Sequence, residues 1–187
     1  VARGSVLDQV VAGDKALMHQ QRNVLLYIIG RHATAETYDY LHHLLPASKQ
    51  LAYRIVIVNQ TTVFPPALHA IATQHDDVEI ITLDIPPAAS WLLRIRTLIG
   101  YLHELQPSIV HLLTHTAETD RDCQIAMWLA HASLHRVISV ATMTVDHQTT
   151  GIRSTVDHAI GQRALQAMQT IIVPNAPSKQ YIQSHYR

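Results

Sequence analysis

Short apolar runs rich in β-branched residues recur along the chain, and loops with helix-like stretches separate them. Runs of five to eight residues that are apolar almost throughout are typical of strands buried on both faces of a sheet. The pattern predicts six strands. They are Val24–Ile29, Arg54–Asn59, Val78–Leu83, Ser108–Leu113, Arg136–Met143 and Thr170–Pro174.

Helical periodicity dominates the intervals between these runs. The predicted helices are Ala35–Leu45, Pro66–Gln74, Ala89–Leu105, Asp120–Ala132, Ser154–Met168 and Pro177–Tyr186. Regular alternation of strand and helix predicts βαβ units, a parallel sheet and helices on both of its faces. We therefore predict one Rossmann-like, doubly wound α/β domain of three layers over residues 23–187. Residues 1–22 are weakly amphipathic, which predicts an N-terminal helical extension.

Composition narrows the class of protein. A chain of 187 residues with 48% hydrophobic side chains can bury a core of its own. The single cysteine, Cys123, excludes a disulfide framework and favours the cytoplasm. Acidic and basic residues are equal in number and form no long runs, which argues against nucleic-acid binding. The apolar runs are far shorter than the roughly 20 residues that a membrane-spanning helix needs.

Fourteen histidines raise the question of a metal site. By spacing, the best candidates are His111 with His115 and His131 with His135. Neither pair has a cysteine or a carboxylate at a recognised ligand spacing. We therefore predict no metal and interpret these histidines as solvated or hydrogen-bonded.

Ligands of open α/β sheets bind beyond the carboxyl ends of the strands, near the point where strand order reverses. The residues that directly follow the predicted strands form a polar set: Gly30, Arg31, His32, Gln60, Thr61, Asp84, Thr114, His115, Thr116, Asp146, His147 and Asn175. A binding rim explains this polarity, and so does the general polarity of surface loops. The pattern alone leaves the two explanations balanced.

Familiar nucleotide and hydrolase motifs are missing. After the first strand only Gly30 is present of the G-x-G-x-x-G pattern, which disfavours a dinucleotide enzyme. The sequence has no G-x-x-x-x-G-K-[ST] loop and no G-x-S-x-G elbow. Phosphate-loop hydrolysis and serine hydrolysis therefore lose their main support.

Three segments share a more informative resemblance. The first unit, VLLYIIGRHATAETYDYLHHLL with YRIVIVNQT, QPSIVHLLTH in the middle, and QAMQTIIVPNAPSKQYIQSHYR at the end occur in order. Together they resemble the glycosyl transferase 4-like N-terminal domain, which is the acceptor-side half of GT-B glycosyltransferases. The resemblance covers about Asn23 to Arg187. Ala33-Thr34-Ala35-Glu36 stands where that family typically has G-G-A-E.

The resemblance implies retaining transfer of a sugar from a nucleotide-diphosphate sugar to an acceptor. Gly30, Ala33 and Thr34 would approach the donor phosphates at a helix N-terminus, which favours anions. Ala and Thr replace the two family glycines, so close approach of the backbone is harder. Glu36 is interpreted as a first-turn carboxylate that favours the helix dipole.

By the same resemblance, His147 would take the place of the family histidine near the reacting sugar. Asp146, which precedes it as an extra residue, is a candidate for donor-phosphate or acceptor binding. His115 and Arg31 would contact the acceptor or the phosphates. We expect no cofactor and no metal, with the nucleotide sugar as co-substrate.

The resemblance also implies a C-terminal nucleotide-sugar-binding domain as partner, with two glutamates eight residues apart. This chain has no such pair, so we expect it to be a piece of a longer protein and to catalyse nothing alone. The acceptor would be a sugar or a lipid-linked molecule, and the latter would bring the protein peripherally to the inner face of the membrane. Two alternatives stay open: a noncatalytic binding or scaffold domain derived from such an enzyme, and another doubly wound enzyme such as a sugar epimerase.

Overall fold

Six parallel strands alternate with helices, as the apolar pattern predicts. The computed structural model describes residues 23–51, 53–60, 65–83, 85–86, 89–114, 120–131, 134, 137–143, 162–173 and 175–185. In chain order the elements are β1 Val24–Ile29, α1 Ala35–Lys49, β2 Arg54–Asn59, α2 Pro66–Gln74, β3 Val78–Thr82, α3 Trp91–Leu105, β4 Ile109–Thr114, α4 Arg121–His131, β5 Ile138–Met143, β6 Thr170–Ile172 and α5 Ala176–His185. A helical stretch at residues 162–166 precedes β6. The predicted extension at residues 1–22 lies outside the described residues.

The strands are ordered β3-β2-β1-β4-β5-β6, and every neighbouring pair is parallel. The chain winds outward from β1 to β3, crosses back through α3, and winds outward again from β4 to β6. This order is the doubly wound arrangement of Rossmann-like domains. The predicted fold class is therefore confirmed, and the reversal of strand order falls between β1 and β4.

The central strand β1 is buried along its whole length. Successive side chains of a strand point to opposite faces of the sheet. Accordingly Val24, Leu26 and Ile28 join one core cluster, which includes residues of α3 and α4. Leu25, Tyr27 and Ile29 join a second cluster on the other face, under α1 and α2. The two clusters make the three-layer architecture.

Helix α1 continues past Pro46, where the sequence predicted that it would stop. A proline inside a helix removes one backbone hydrogen bond. The last turn is stable nonetheless, because Leu45 is fully buried and the Ser48 hydroxyl makes two hydrogen bonds. The Ser48 hydroxyl donates to the Leu44 carbonyl at 3.0 Å and lies 2.6 Å from the Tyr27 hydroxyl.

Helix α3 begins two residues later than predicted because Ser90 caps it. The Ser90 hydroxyl accepts a hydrogen bond from the Leu93 N–H at 3.3 Å, and the helix ends at Gln106, whose φ of 43° is left-handed. Of the predicted helix Ser154–Met168, residues 162–166 are helical and residues 154–161 lie outside the described residues. Within the described part of the chain, every helix is too short or too polar to cross a membrane.

One residue of strand β4, His111, is a buried histidine. His111 packs against Tyr27, with ring centroids 5.4 Å apart, and against Tyr40 of α1 at 6.1 Å. Its Nε2 is 2.7 Å from the Thr142 hydroxyl. Burial lowers the pKa of His111 from 6.5 to about 4. The imidazole is therefore neutral at physiological pH, and this histidine is a core residue.

We expect His111 to make the fold sensitive to acid. The unfolded chain takes up this proton near pH 6.5 but the folded chain only near pH 4, so the stability contributed by the neutral ring is complete above pH 6.5 and is lost as the pH falls to 4. The loss amounts to about 3 kcal/mol at most. Urea unfolding of wild type and His111→Phe across this range measures it.

The unfolding free energy of wild type, minus that of His111→Phe, should fall by that amount between pH 7 and pH 4. The same substitution at the exposed His32 is the control, because it removes no buried ring. Parallel profiles for His111→Phe would show that the ring titrates normally.

Candidate functional site

The carboxyl end of β1 meets the amino end of α4 at the reversal of strand order. Gly30 and Arg31 follow β1 directly, and Asp120 precedes α4. The backbone carbonyl of Asp120 accepts hydrogen bonds from the N–H groups of Cys123 at 3.1 Å and Gln124 at 3.3 Å, as an N-cap residue does. Ligands of this fold bind at such a position, so this is the region where a site is expected.

The Asp120 side chain turns back across the sheet and joins the loop after β1. Its Oδ1 accepts a hydrogen bond from the Arg31 backbone N–H at 2.8 Å. Asp120 is completely buried. Hydrogen bonds from N–H groups to a carboxylate are stronger than those between neutral groups. This contact therefore joins two parts of the chain that are 89 positions apart in the sequence.

Gly30 makes room for that carboxylate. A Cβ atom at position 30 would lie 2.2 Å from Asp120 Oδ2 and 2.4 Å from Asp120 Cγ, so the Asp120 carboxylate would have to move. The glycine backbone has a negative φ, so close approach rather than backbone conformation requires glycine here. Its N–H also donates to the Leu113 carbonyl at 2.9 Å, which ties the loop to β4.

Arg31 carries the cationic group of the site. Its Nε lies 3.5 Å from Asp122 Oδ2, and the Arg31 side chain is 34% exposed while that of Asp122 is 3% exposed. The buried Asp122 carboxylate thus pairs with the guanidinium at Nε, while about a third of the Arg31 side chain stays exposed. A planar guanidinium fixed in this way suits phosphate or carboxylate recognition.

Cys123 lies beside Asp120 and Asp122 in the interior, and Gln60 contacts Cys123. Gln60 follows β2, and its Nε2 is 2.6 Å from Cys123 Sγ. Burial and the adjacent Asp120 and Asp122 carboxylates raise the pKa of the Cys123 thiol well above its ordinary value. The thiol is therefore protonated and is no nucleophile on its own. We call Gln60, Asp120, Asp122 and Cys123 the switch-point cluster.

Four of the predicted site residues lie on the loop after β1. Gly30 and Arg31 contact Asp120 and Asp122 as described above. The Ala33 N–H donates to the Gly30 carbonyl at 3.2 Å, and the Thr34 N–H donates to Thr37 Oγ1 at 3.2 Å at the start of α1. Glu36 is exposed in the first turn of α1, as predicted.

The other predicted site residues, His115, Asp146 and His147, lie outside the described residues. The same holds for His135 of the proposed metal pairs and for the side chain of His131. Their partner His111 is buried in the sheet and bonded to Thr142. Among the described residues, the structure thus brings together the loop after β1 and the start of α4.

Sequence reasoning missed Asp120, Asp122 and Cys123 as site residues. The sequence places Gln60 among the polar residues that follow strands, and it places Asp120 only at the start of a helix. The available signal was the acidic Asp-Arg-Asp-Cys segment at a predicted helix N-terminus, where carboxylates are common for capping alone. Its proximity to Gly30 arises only from the strand order.

The chain matches no model of a known protein family, and comparison with characterised proteins found no significant match to it.

We predict that Gly30→Ala destabilises the fold by about 1–3 kcal/mol, because the buried Asp120 carboxylate must leave its hydrogen bond to Arg31. Chemical denaturation measures the change. Gly100→Ala is the matched control. Gly100 is exposed in α3, and a Cβ atom there would meet nothing within 4 Å, so alanine should stabilise the protein by up to about 1 kcal/mol. A Gly30→Ala protein as stable as wild type would show that the Asp120 carboxylate does not need the space at Gly30.

Proposed function

We propose that this chain is the acceptor-side domain of a retaining GT-B glycosyltransferase. Such an enzyme transfers a sugar from a nucleotide-diphosphate sugar to an acceptor in the cleft between two domains. The observation that carries the proposal is the partly exposed Arg31 side chain, which pairs with the buried Asp122 at the reversal of strand order. The sequence resemblance supplies the class of reaction, and the doubly wound sheet is compatible with it.

The role proposed for Arg31 follows from its geometry. Its Nε lies 3.5 Å from Asp122 Oδ2, its side chain is 34% exposed, and the two terminal nitrogens of the guanidinium carry further N–H donors. The buried carboxylate limits the rotamers of a long side chain, so less conformational entropy is lost when an anion binds. Arg31 would then contact the donor diphosphate or an anionic group of the acceptor.

The remaining roles follow the resemblance. The loop containing Gly30, Ala33 and Thr34 would border the donor phosphates, and His147 would lie near the reacting sugar. His115 and Asp146 would contact the acceptor or the donor phosphates. A second domain would bind the nucleotide. We propose a cytoplasmic protein whose acceptor is a sugar or a lipid-linked molecule, with no cofactor beyond the nucleotide sugar.

One contact favours a second candidate, a noncatalytic binding or scaffold domain of the same ancestry. The Arg31 N–H, a backbone donor at the place where a phosphate would approach, already donates to Asp120. The buried carboxylate also carries the same sign of charge as a phosphate and would repel it. A donor would then lack this backbone contact and depend more on the Arg31 side chain, or the domain binds no donor.

The Arg31 side chain provides the test. In the protein with any domain that follows Arg187, we expect Arg31→Ala to lower kcat/KM for a nucleotide sugar by about tenfold or more, because a charge-assisted contact worth roughly 1.5–3 kcal/mol is lost. The measurement is sugar transfer with a panel of nucleotide sugars. Arg54→Ala is the control, since Arg54 pairs with Glu79 at the opposite, amino end of the strands.

The control should leave kcat/KM unchanged. Equal rates for Arg31→Ala and Arg54→Ala would contradict the proposed role of Arg31. If no nucleotide sugar binds to the wild-type protein and none is turned over, the scaffold candidate replaces the enzyme.

His147 is tested separately in the same protein. We expect His147→Ala to lower kcat sharply with little change in thermal stability, because the proposed role is at the reacting sugar and not in the core. Sugar-transfer rates and a thermal melt measure the two effects. Undiminished turnover would remove His147 from the mechanism.

A further inference from the structure

Three metal-ligand side chains converge in the interior at the start of α4. Asp120, Asp122 and Cys123 each place one ligand atom within 4.8 Å of the ligand atoms of the other two. Their residues are 0%, 4% and 0% exposed. Two buried carboxylates close together are unfavourable unless positive charge compensates them, and Arg31, which pairs with Asp122, supplies one positive charge for the two. Helix capping explains the position of Asp120 but not the grouping of all three.

Gln60 supplies a separate observation from a different element. It is 2% exposed, and its Oε1 has no hydrogen-bond partner within the described part of the chain. Its amide is directed at the cluster, with Nε2 2.6 Å from Cys123 Sγ. Buried carbonyl oxygens almost always have a partner. Half a turn of this amide about its last bond would exchange Nε2 and Oε1 and so place Oε1 beside Cys123 Sγ.

We propose that the switch-point cluster binds a divalent transition-metal cation of the Zn²⁺ type. The ligands would be one oxygen each from Asp120 and Asp122, the Cys123 thiolate, and Gln60 Oε1. Cys123 Sγ and Asp122 Oδ1 are 3.8 Å apart, close to the roughly 3.5 Å edge of a tetrahedron with ordinary Zn–S and Zn–O bonds. Thiolate ligation selects such metals over Mg²⁺ and Ca²⁺.

The proton and charge balance of binding is defined. The Cys123 S–H bond breaks, a sulfur–metal bond forms, and the proton leaves to the buffer. Two carboxylates and one thiolate then face one divalent cation and the Arg31 guanidinium, so the group is neutral. Arg31 would orient Asp122, and the Cys123 N–H, which donates to Asp122 Oδ1 at 3.1 Å, would hold it from the other side.

The cation would join β2, the loop after β1 and the start of α4 at one point. This role is structural and does not depend on the proposed transferase activity. It departs from the prediction that the chain binds no metal, which considered only the histidine pairs.

Cobalt tests the proposal because the chain has one cysteine. We expect Co²⁺, added to the reduced 187-residue chain, to give a near-ultraviolet sulfur-to-cobalt charge-transfer band. The band should saturate at one metal per chain and disappear when Zn²⁺ is added. A weakly buffered indicator should record one proton released per metal. Any such band is assigned to Cys123 without mutagenesis.

Variants identify the oxygen ligands. Asp122→Asn and Gln60→Ala should each weaken Co²⁺ binding by at least tenfold. Asp77→Asn, which alters an exposed carboxylate paired with Lys49, is the matched control and should leave binding unchanged. Thermal melts show which variants fold, and the wild-type spectrum decides the question even if one of them does not.

Two outcomes overturn the proposal. Cobalt spectra without a sulfur band would mean that the cation binds to surface histidines only. A sulfur band whose strength is unaffected by both Asp122→Asn and Gln60→Ala in folded protein would mean that Cys123 binds cobalt without the cluster.

Discussion

The complete burial of β1 is the constraint on which the rest of the structure depends. Its six side chains alternate between two core clusters, so both faces of the sheet must be covered. The helices α1 and α2 cover one face, and α3 and α4 cover the other. Such coverage requires a crossover from one half of the sheet to the other, and α3 provides it. The reversal of strand order beside β1 is the direct consequence.

That reversal creates a gap beyond the carboxyl end of β1, and this protein partly fills it with its own side chains. In a nucleotide-binding sheet, the loop amides at this place are available to phosphate oxygens. Here the Asp120 carboxylate takes the Arg31 amide and depends on the missing side chain of Gly30. The backbone at the gap therefore offers less to an anion, while the Arg31 side chain offers a fixed cation. The proposed recognition of an anionic ligand therefore depends more on that side chain than on the Arg31 N–H.

Burial decides the protonation state of two titratable groups at neutral pH. His111 is removed from acid–base work at neutral pH because burial lowers its pKa to about 4. Cys123 is removed from nucleophilic work because burial and two carboxylates raise its pKa. A divalent cation would reverse the second effect, since a metal stabilises the thiolate that the carboxylates disfavour. In the proposed metal-bound state, Gln60, Asp120, Asp122 and Cys123 would therefore be ligands and no longer an inert part of the interior.

The sequence by itself determined the six strands, their parallel arrangement and the class of fold, because continuous apolar runs can be buried only between two layers of helices. It also determined that Arg31 and Gln60 follow strands and so lie near the carboxyl edge of the sheet. Only the tertiary structure decided that α1 continues through Pro46, because the burial of Leu45 and the Tyr27–Ser48 contact outweigh the lost backbone bond. It alone decided that Gly30 serves Asp120, since residues so distant along the chain are brought together by strand order and not by any local pattern.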